Sequence, residues 1–430
     1  MENTQLKKQM KTEKQMKNNK IGLSIFLIIL SIFYYEGRRK IPEFKKNIII
    51  DFKDVHKIPS NKKLKYTYKL FEESSIKKIK LKAYCGKISI KTNHDIDKIK
   101  IKAIIGYSGE KAYIKKSMEN GELYLKGSIP ENFNGEIGYE IETPEKIDYE
   151  LINRNGIIEI DGASNIKIDD KYSDMNIKDI KSISIQSGYG DIYIDRVKED
   201  VNISTKYSKM RFSNIKGSLS IKTKYGKSIE INNLNGDLEI DTKFTPVIID
   251  NASGKLKIKH RYCENLEINN SGDIQLETSY SKISVNNSNS LSLIGKENRI
   301  FGKVIKLKIK GKGNKIEGGS DEISLEGKYD NINMTIKKRG KIIEEQGHIK
   351  LEIDKISQKF SFNLISTSSY IKIKDTNNTL FDVRLNWGVL NSDFLHISTN
   401  KNIIKGVYGD ISEKNIFLLN SKYSTITIIR

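Results

Sequence analysis

The chain has 430 residues, of which 37% are apolar and 30% charged, enough for one long domain or for two or three compact ones. Its net charge of +21 favours contact with anionic surfaces, although lysines on solvated strand faces would give the same sum. The two cysteines, Cys85 and Cys263, are too distant in the repeat described below to form a disulfide. They also lack the Cys-x-x-Cys or Cys/His spacing of a metal site.

The N-terminal region joins a basic tail, residues 1–20, to an apolar run. The run from Ile21 to Tyr35 contains no charge, and as a helix it would span about 22 Å, less than the ~30 Å hydrocarbon core of a bilayer. Lys20 can snorkel, and the tyrosines at the other end suit a membrane interface. Because no small-residue cleavage site follows, an uncleaved signal anchor is favoured over a cleaved signal peptide or a buried core helix.

The orientation of this anchor is less strongly determined, because lysines and arginines flank it on both sides. Long domains translocate largely regardless of charge, so we expect the tail to stay inside and the bulk of the chain to be extracytoplasmic. Residues 36–75 are then a connector, and residues 76–430 are the exported domain. The sequence predicts a single-pass protein of the cell membrane.

Strand-like alternation begins near residue 76, with apolar pairs such as Ile79-x-Leu81 and Ile88-x-Ile90. Period-two alternation with Gly, Asn and Asp at the breaks is typical of strands. No long apolar stripe of helical period follows the anchor. We therefore expect almost no helix in residues 76–430.

The alternation is itself repeated, with two strands in about eighteen residues. One break in each repeat carries an aromatic residue, with spacings of 17 to 19: Tyr172, Tyr189, Tyr207, Tyr225, Phe244, Tyr262 and Tyr280. The other break carries asparagine: Asn214, Asn233, Asn251 and Asn270. One unit cannot bury its own apolar pairs, whereas stacked units can.

This repeat predicts an all-β fold, a parallel β-solenoid (β-helix), most regular over residues 150–300. A Greek-key sandwich also uses many short strands, but its loops would vary more in length. Across residues 76–430 we expect roughly twenty coils. The ends of such a stack are open strand edges, so the terminal coils should be atypical, as the irregular stretches at 76–150 and 400–430 are.

The aromatic residues should form a column along the solenoid, which is the candidate functional surface. Flanked by Lys206, Lys224, Lys243 and Arg261, the rings could stack on sugars or contact an anionic polymer. The alternative is that they pack on one another and only fix the corners. The asparagines, and the row Thr205, Thr223, Thr242 and Thr278, are expected to form hydrogen-bonded ladders.

Several segments resemble a known family. Cys85-Gly86-x-Ile88-x-Ile90, Ile141-x-Thr143-Pro144, Asn155-Gly156-x-Ile158-x-Ile160 and the repeated Tyr-Gly-x-Ile units are similar to the bacterial adhesin-like domain of the DUF4097 type, a family of unknown function. The resemblance covers roughly residues 70–300 and weakens toward the end. It implies a β-solenoid on a bacterial envelope protein, often tethered by one membrane helix, with no established catalytic residues. The chain departs from it in placing Tyr-Gly or Tyr-Ser at turns where Asn-Gly is expected.

No catalytic motif is visible, and the five histidines are isolated in the sequence. Solenoids do host polysaccharide-cleaving enzymes, and Asp169, Asp170, Asp191 and Asp195 could cluster across coils, but solvated strand and turn residues are the favoured explanation, since spacing alone gives no paired geometry. We expect no catalytic residue, metal or cofactor.

The predicted function is a membrane-anchored, exported, non-catalytic role in adhesion, envelope scaffolding or envelope-stress sensing. The expected partners are the membrane, through Ile21 to Tyr35, and an anionic envelope polymer or carbohydrate, but not nucleic acid. Two alternatives stay open: an enzyme acting on an acidic polysaccharide, and a polymerising scaffold on the cytoplasmic side.

Overall fold

The computed structural model describes residues 64–73, 75–131, 133–356, 358–376, 379–393, 403–408 and 415–430. These residues form strands and turns, and among them there is no helix long and apolar enough to cross a membrane. The predicted anchor, residues 21–35, lies outside the described residues.

The described strands fall into three groups along the chain. The N-terminal group is β1 (Lys65–Glu73), β2 (Lys78–Lys82), β3 (Cys85–Thr92), β4 (Ile99–Tyr107), β5 (Tyr113–Glu119), β6 (Glu122–Ser128), β7 (Gly135–Thr143) and β8 (Asp148–Ile152). The middle group is β9 (Asn155–Asp169), β10 (Tyr172–Gln186), β11 (Ile192–Val197), β12 (Val201–Ser204), β13 (Lys209–Ile215), β14 (Leu219–Thr223), β15 (Ser228–Leu234), β16 (Leu238–Lys243), β17 (Val247–Ala252), β18 (Leu256–Arg261), β19 (Leu266–Ser271), β20 (Asp273–Ser279) and β21 (Lys282–Lys296). The C-terminal group is β22 (Arg299–Lys312), β23 (Lys315–Lys328), β24 (Asn331–Glu345), β25 (His348–Lys355), β26 (Lys359–Ile365), β27 (Ser368–Asp375), β28 (Thr379–Asn386), β29 (Val389–Ser392), β30 (Ile403–Tyr408), β31 (Asn415–Lys422) and β32 (Thr425–Ile429).

Each coil gives one strand to each of two faces. The first face contains β12, β14, β16, β18 and β20, and the second contains β11, β13, β15, β17 and β19; within each face, successive strands pair in parallel. The long strands β9, β10 and β21 to β24 bend and contribute to both faces. The prediction of a parallel β-solenoid with coils of about eighteen residues is confirmed.

The coil count differs from the prediction of roughly twenty. About 13 turns follow one another in sequence order, because part of each end of the chain forms antiparallel strands and coils that are stacked out of sequence order. After residue 298 the repeat continues with a shorter period: Asn298 hydrogen-bonds to Asn314, 16 residues later.

The core lies between the two faces and consists of columns of like residues. One column on the second face is in register from coil to coil and is at most 3% exposed: Ile158, Met175, Ile192, Met210, Ile229, Val247, Leu266, Ile283 and Ile300. Each fully buried aliphatic side chain of this kind stabilises the fold by about 1.5–3 kcal/mol before entropy is counted. The two cysteines are free thiols, as predicted.

The second face returns to the first through the asparagine corner. Asn214, Asn233, Asn251 and Asn270 all have φ between 51° and 58°, a left-handed conformation that asparagine tolerates better than most residues. The amide of Asn233 donates to Asn214 Oδ1 at 3.2 Å, and that of Asn251 donates to Asn233 Oδ1 at 3.4 Å. Asn270 donates to Asp250 Oδ1 instead. The predicted asparagine ladder is therefore present over most of its length.

The N-terminal end contains an inserted coil. Strands β2 and β3 form a coil that lies between the coil of β6 and β7 and the coil of β8 and β9. Strands β1, β4 and β5 then run antiparallel to their neighbours and cover the outer edges. This antiparallel cover explains why strand structure begins at Lys65, inside the segment 36–75 that was predicted to be a connector.

The C-terminal end also contains an inserted coil and an antiparallel strand. The coil of β31 and β32 lies between the coil of β26 and β27 and the coil of β28 and β29. Strand β30 runs antiparallel along β28. The last described strand of the sequence is therefore an internal strand of the stack. Both predicted terminal regions are atypical, as expected. The reason is that coils there are stacked out of sequence order, which the spacing of residues in the sequence does not reveal.

Candidate functional site

The aromatic corner joins each first-face strand to the next second-face strand. Early corners are longer, as in residues 205–208, and later ones shorter, as in residues 280–281. The ring stays in the same place while the backbone changes. All seven predicted residues are brought together in one column: Tyr172, Tyr189, Tyr207, Tyr225, Phe244, Tyr262 and Tyr280.

The rings of this column stack face to face. Consecutive ring centroids are 4.7 to 5.5 Å apart, and the interplanar angles lie between 5° and 24°. This repeat follows from the spacing of adjacent strands in a sheet. Because each inner ring has a neighbour on both faces, only ring edges and hydroxyls remain open to solvent. Tyr225, for example, is 40% exposed and Tyr262 52%.

Three of these aromatic residues have a strained backbone. Phe244, Tyr262 and Tyr280 have φ of 55–56°, in the left-handed region that costs a non-glycine residue about 1–2 kcal/mol. A stacked aromatic pair contributes about 0.5–1.5 kcal/mol beyond its buried area. Two ring neighbours, as at Phe244 and Tyr262, therefore offset the backbone cost, while Tyr280 has one ring neighbour and Lys296 over its ring.

The flanking basic residues do not share one arrangement. Lys224 Nζ lies 4.8 Å from the ring centroid of Tyr225, a cation–π contact. Arg261 instead donates to Glu277 at 2.8 Å. At the ends of the column, Lys171 lies over Tyr172 and Lys296 over Tyr280, at 5.2 and 5.8 Å. The exposed side of the column thus carries positive charge along with ring edges.

A buried row of polar side chains lies behind the rings, and the sequence predicted only its threonines. The threonines Thr205, Thr223, Thr242 and Thr278 are buried, but they do not bond to one another. Thr205 shares a hydrogen bond with Ser208 at 2.6 Å, and Thr223 donates to the carbonyl of Lys206 at 3.4 Å. The predicted threonine ladder is wrong: Thr205 bonds within its own corner, whereas Thr223 bonds to a backbone carbonyl of the preceding coil and Thr278 donates to Asn298 Oδ1 at 3.4 Å.

His260 occupies the same row. It is fully buried, and its Nε2 lies 3.2 Å from the carbonyl of Thr245, to which it donates. Burial lowers the pKa of His260 to about 4, so the ring is neutral at pH 7. This histidine is a packing residue of the corner.

The polar row continues past the rings into a segment that sequence reasoning missed. Asn298 Nδ2 donates to Asn314 Oδ1 at 3.0 Å, and the backbone N–H of Asn314 donates to Asp330 Oδ1 at 2.7 Å. The N–H of Asp330 donates in turn to Glu344 Oε1 at 2.9 Å. The row ends with two carboxyl groups, each only 1% exposed, whose second oxygens, Asp330 Oδ2 and Glu344 Oε2, have no hydrogen-bond partner among the described residues.

Glycines make room for this row. A β-carbon at Gly295 or Gly311 would lie 2.8 Å from the amide nitrogen of Asn298 or Asn314, and one at Gly327 would overlap both unpartnered carboxyl oxygens. The sequence signal was the motif Gly-x-x-Asn/Asp, repeated every sixteen residues.

The four aspartates considered for an enzyme do not converge. Asp170 accepts hydrogen bonds from Ser173 and Ser187, whereas Asp195 accepts from Asn214 at the opposite corner. Asp191, just before the second-face strand β11, pairs with Lys227 at 3.4 Å. Within the described ranges, no group of three or more His, Cys, Asp or Glu residues is placed to hold a metal ion.

Replacing a ring separates stacking from backbone strain. Tyr262→Ala removes two ring contacts and keeps the left-handed backbone, so we expect a loss of about 1–3 kcal/mol of unfolding free energy. Tyr262→Gly should cost less, since glycine relieves the strain. Tyr225 is the matched control, because it also has two ring neighbours but no left-handed φ. There the order should reverse, with Gly costing more than Ala in denaturant titrations. Unchanged stability in all four variants would refute a structural role for the column.

Comparison with known proteins adds little to this picture. No family model and no curated protein matches the chain, so the resemblance to the DUF4097 type remains a prediction. The solved structures include the crystal structure of a candidate cell adhesion protein from Clostridium sporogenes ATCC 15579. It aligns over 85% of this chain and 99% of its own, with 12% sequence identity and a TM-score of 0.17. At that TM-score the likeness carries no argument about fold or function, which rest on the geometry above.

Proposed function

We propose that this chain is an exported, membrane-anchored solenoid that binds an extended envelope partner without catalysis, in the manner of an adhesin. The observation that carries the proposal is repetition: stacking places the same kinds of side chain at the same surface position in coil after coil. A regular surface of this kind suits a partner that is itself a repeating polymer, because many weak contacts then add up. The anchor is the uncharged run Ile21 to Tyr35.

The aromatic column is part of this surface, but only part of each ring is accessible to a partner. Its ring faces are occupied by neighbouring rings, so a partner would meet ring edges, hydroxyls and the ammonium groups beside them. This supports a role in contact with a surface and argues against insertion of a sugar ring between the aromatic residues. Envelope scaffolding would use the same features.

Side-specific labelling tests the exported location. A membrane-impermeant lysine-reactive biotin ester, applied to intact cells, should label exposed lysines such as Lys222 and Lys308, since both lie on the solvent side of their strands. Labelling is preferable to proteolysis because a continuous hydrogen-bonded stack resists proteases. If these lysines react only after lysis, the exported proposal fails and the cytoplasmic-side scaffold takes its place. A cytoplasmic protein in the same cells checks that the membrane is intact.

A further inference from the structure

A groove of about 650 Å³ lies on the outer side of the first face, across strands β21, β22, β23, β24 and β26. Its central row is in register from coil to coil and alternates serine with lysine: Ser292, Lys308, Ser324, Lys341 and Ser361. A second row beside it contains Lys306, Glu322, Arg339 and Lys359. The groove therefore follows the stacking axis and crosses several coils.

The groove has an excess of positive charge that its own carboxylates do not neutralise. Arg339 is paired with Glu322 at 2.5 Å. Four other lining residues, Lys306, Lys308, Lys341 and Lys359, are exposed, and none of them has a carboxylate within 4.0 Å among the described residues: they are free cations. Clefts lined by one sign of charge concentrate ions of the opposite sign.

The same face is different a few coils earlier, so this charge is a local feature. There a smaller groove of about 280 Å³ is lined by Asp200, Asp237, Glu239, Lys255 and Lys257. Lys257 donates to Glu239 at 2.9 Å, while Asp200 and Asp237 accept backbone N–H groups from the next coil. The earlier groove thus has more carboxylates than lysines, with Lys257 paired, whereas the later groove has an excess of lysines without carboxylate partners.

The lining chemistry indicates the class of anion. Lys308 and Lys341 are two coils apart in one row, roughly 10 Å at the usual strand spacing, with the hydroxyl of Ser324 between them. The groove has no aromatic platform, and its one guanidinium is engaged by Glu322, so it lacks the stacking and fork contacts that nucleic acids and phosphates favour. Ammonium groups alternating with hydroxyls match carboxylates alternating with sugar hydroxyls.

We propose that this lysine–serine groove binds an acidic polysaccharide, a linear chain of carboxylate-bearing sugars lying along the stacking axis. The proposal rests on the proposed function for its location, since such a polymer is met outside the cell. It names a binding surface separate from the aromatic corner, and it assigns Lys308 and Lys341 as the principal contacts.

The test uses the full chain in nonionic detergent, titrated calorimetrically with an oligogalacturonate of fixed length. We expect measurable binding that weakens as salt is raised, and none to neutral dextran. The double variant Lys308→Gln/Lys341→Gln should weaken binding about tenfold, as two solvent-exposed ionic contacts are lost. The matched control, Lys222→Gln/Lys255→Gln, removes the same charge from the same face outside the groove and should change affinity less than twofold.

Three results would overturn the proposal. Equal weakening in both double variants would mean that diffuse charge, not the groove, attracts the polymer. Absence of oligogalacturonate binding would remove the ligand class, and tighter binding of inorganic polyphosphate through Lys308 and Lys341 would replace it by phosphate. None of these outcomes bears on side-specific labelling, so the groove and the exported location fail independently.

Discussion

Deleting residues 415–430 should unfold the C-terminal coils, although these are the last residues of the sequence. The segment supplies β31 and β32, which pair with β26 and β27 on one side and with β28 and β29 on the other. Its inward side chains Phe417, Leu419, Ile426 and Ile428 are all fully buried. Removing them costs on the order of 6–12 kcal/mol of burial, since each is worth about 1.5–3 kcal/mol.

The loss should be local, because each coil of a solenoid contacts mainly its neighbours. Hydrogen exchange by mass spectrometry is therefore the right measurement. We expect residues 359–392 to lose protection in the deleted chain, while residues 155–298 keep it. In most domains the terminal segments tolerate truncation because they lie at an edge, whereas residues 415–430 lie inside the stack. Retained protection in 359–392 would show that β28 and β29 can pair directly with β26 and β27.

A point variant makes the same test without changing chain length. The ring of Phe417 lies 5.1 Å from that of Phe362 and 5.3 Å from that of Phe381, measured between centroids. Phe417→Ala should lower the unfolding free energy of this end by about 3–5 kcal/mol. Asn420→Ala, three residues away on the exposed side of the same strand, should stay within about 0.5 kcal/mol.

These end coils show where sequence reasoning stops. The eighteen-residue repeat predicted the middle of the solenoid because every unit there has the same partner, its neighbour in sequence. Strands β2 and β6 have the same inward pattern, Ile79 with Leu81 and Leu123 with Leu125. Period-two alternation says which side chains face inward but not which strand lies alongside. The inserted order is decided by how the open edges are covered, which is a property of the whole end.

The candidate site was predictable to a similar degree. Seven aromatic residues at a spacing of 17 to 19 had to form a column once the coils were stacked, and they do. Whether their faces would be free depended on the rise per coil, which brings adjacent rings into contact. The free lysines of the groove could not be recognised from sequence, because only the cross-coil register shows that Lys308 faces Ser324 while Lys310 meets Glu326.

The buried carboxyl pair at the end of the polar row should make the protein less stable as pH rises from 4 to 8. Burial is the main cause that raises the pKa of Asp330 to about 6 and that of Glu344 to about 7. The hydrogen bonds from Asn314 act against this at Asp330, while the nearby carboxylates Glu297 and Glu345 add to it. In the unfolded chain both groups ionise near pH 4.

The folded state therefore holds these protons more tightly than the unfolded state. The stability associated with the protonated pair is fully present below about pH 4 and is lost as pH rises through 6 to 7. Above that range the fold carries the cost of two charges whose second oxygens face the same space over Gly327. No cation among the described residues pairs with either group, since Lys328 is engaged by Glu345.

Amide substitutions should remove this cost. The neighbouring coils already have an amide in this row, at Asn298 and Asn314. Asp330→Asn places an amide where Asn314 has one, and Glu344→Gln offers a donor to the unpartnered Asp330 Oδ2. Each should raise the unfolding free energy by about 2 kcal/mol at pH 8 and by almost nothing at pH 4, in urea titrations at both pH values. Glu345→Gln is the control, because it loses an exposed ion pair with Lys328, worth about 0–1 kcal/mol, and leaves both buried carboxyl groups in place. If Glu344→Gln changes stability equally at both pH values, the folded state does not hold these protons more tightly than the unfolded state, and the proposed pH dependence is wrong.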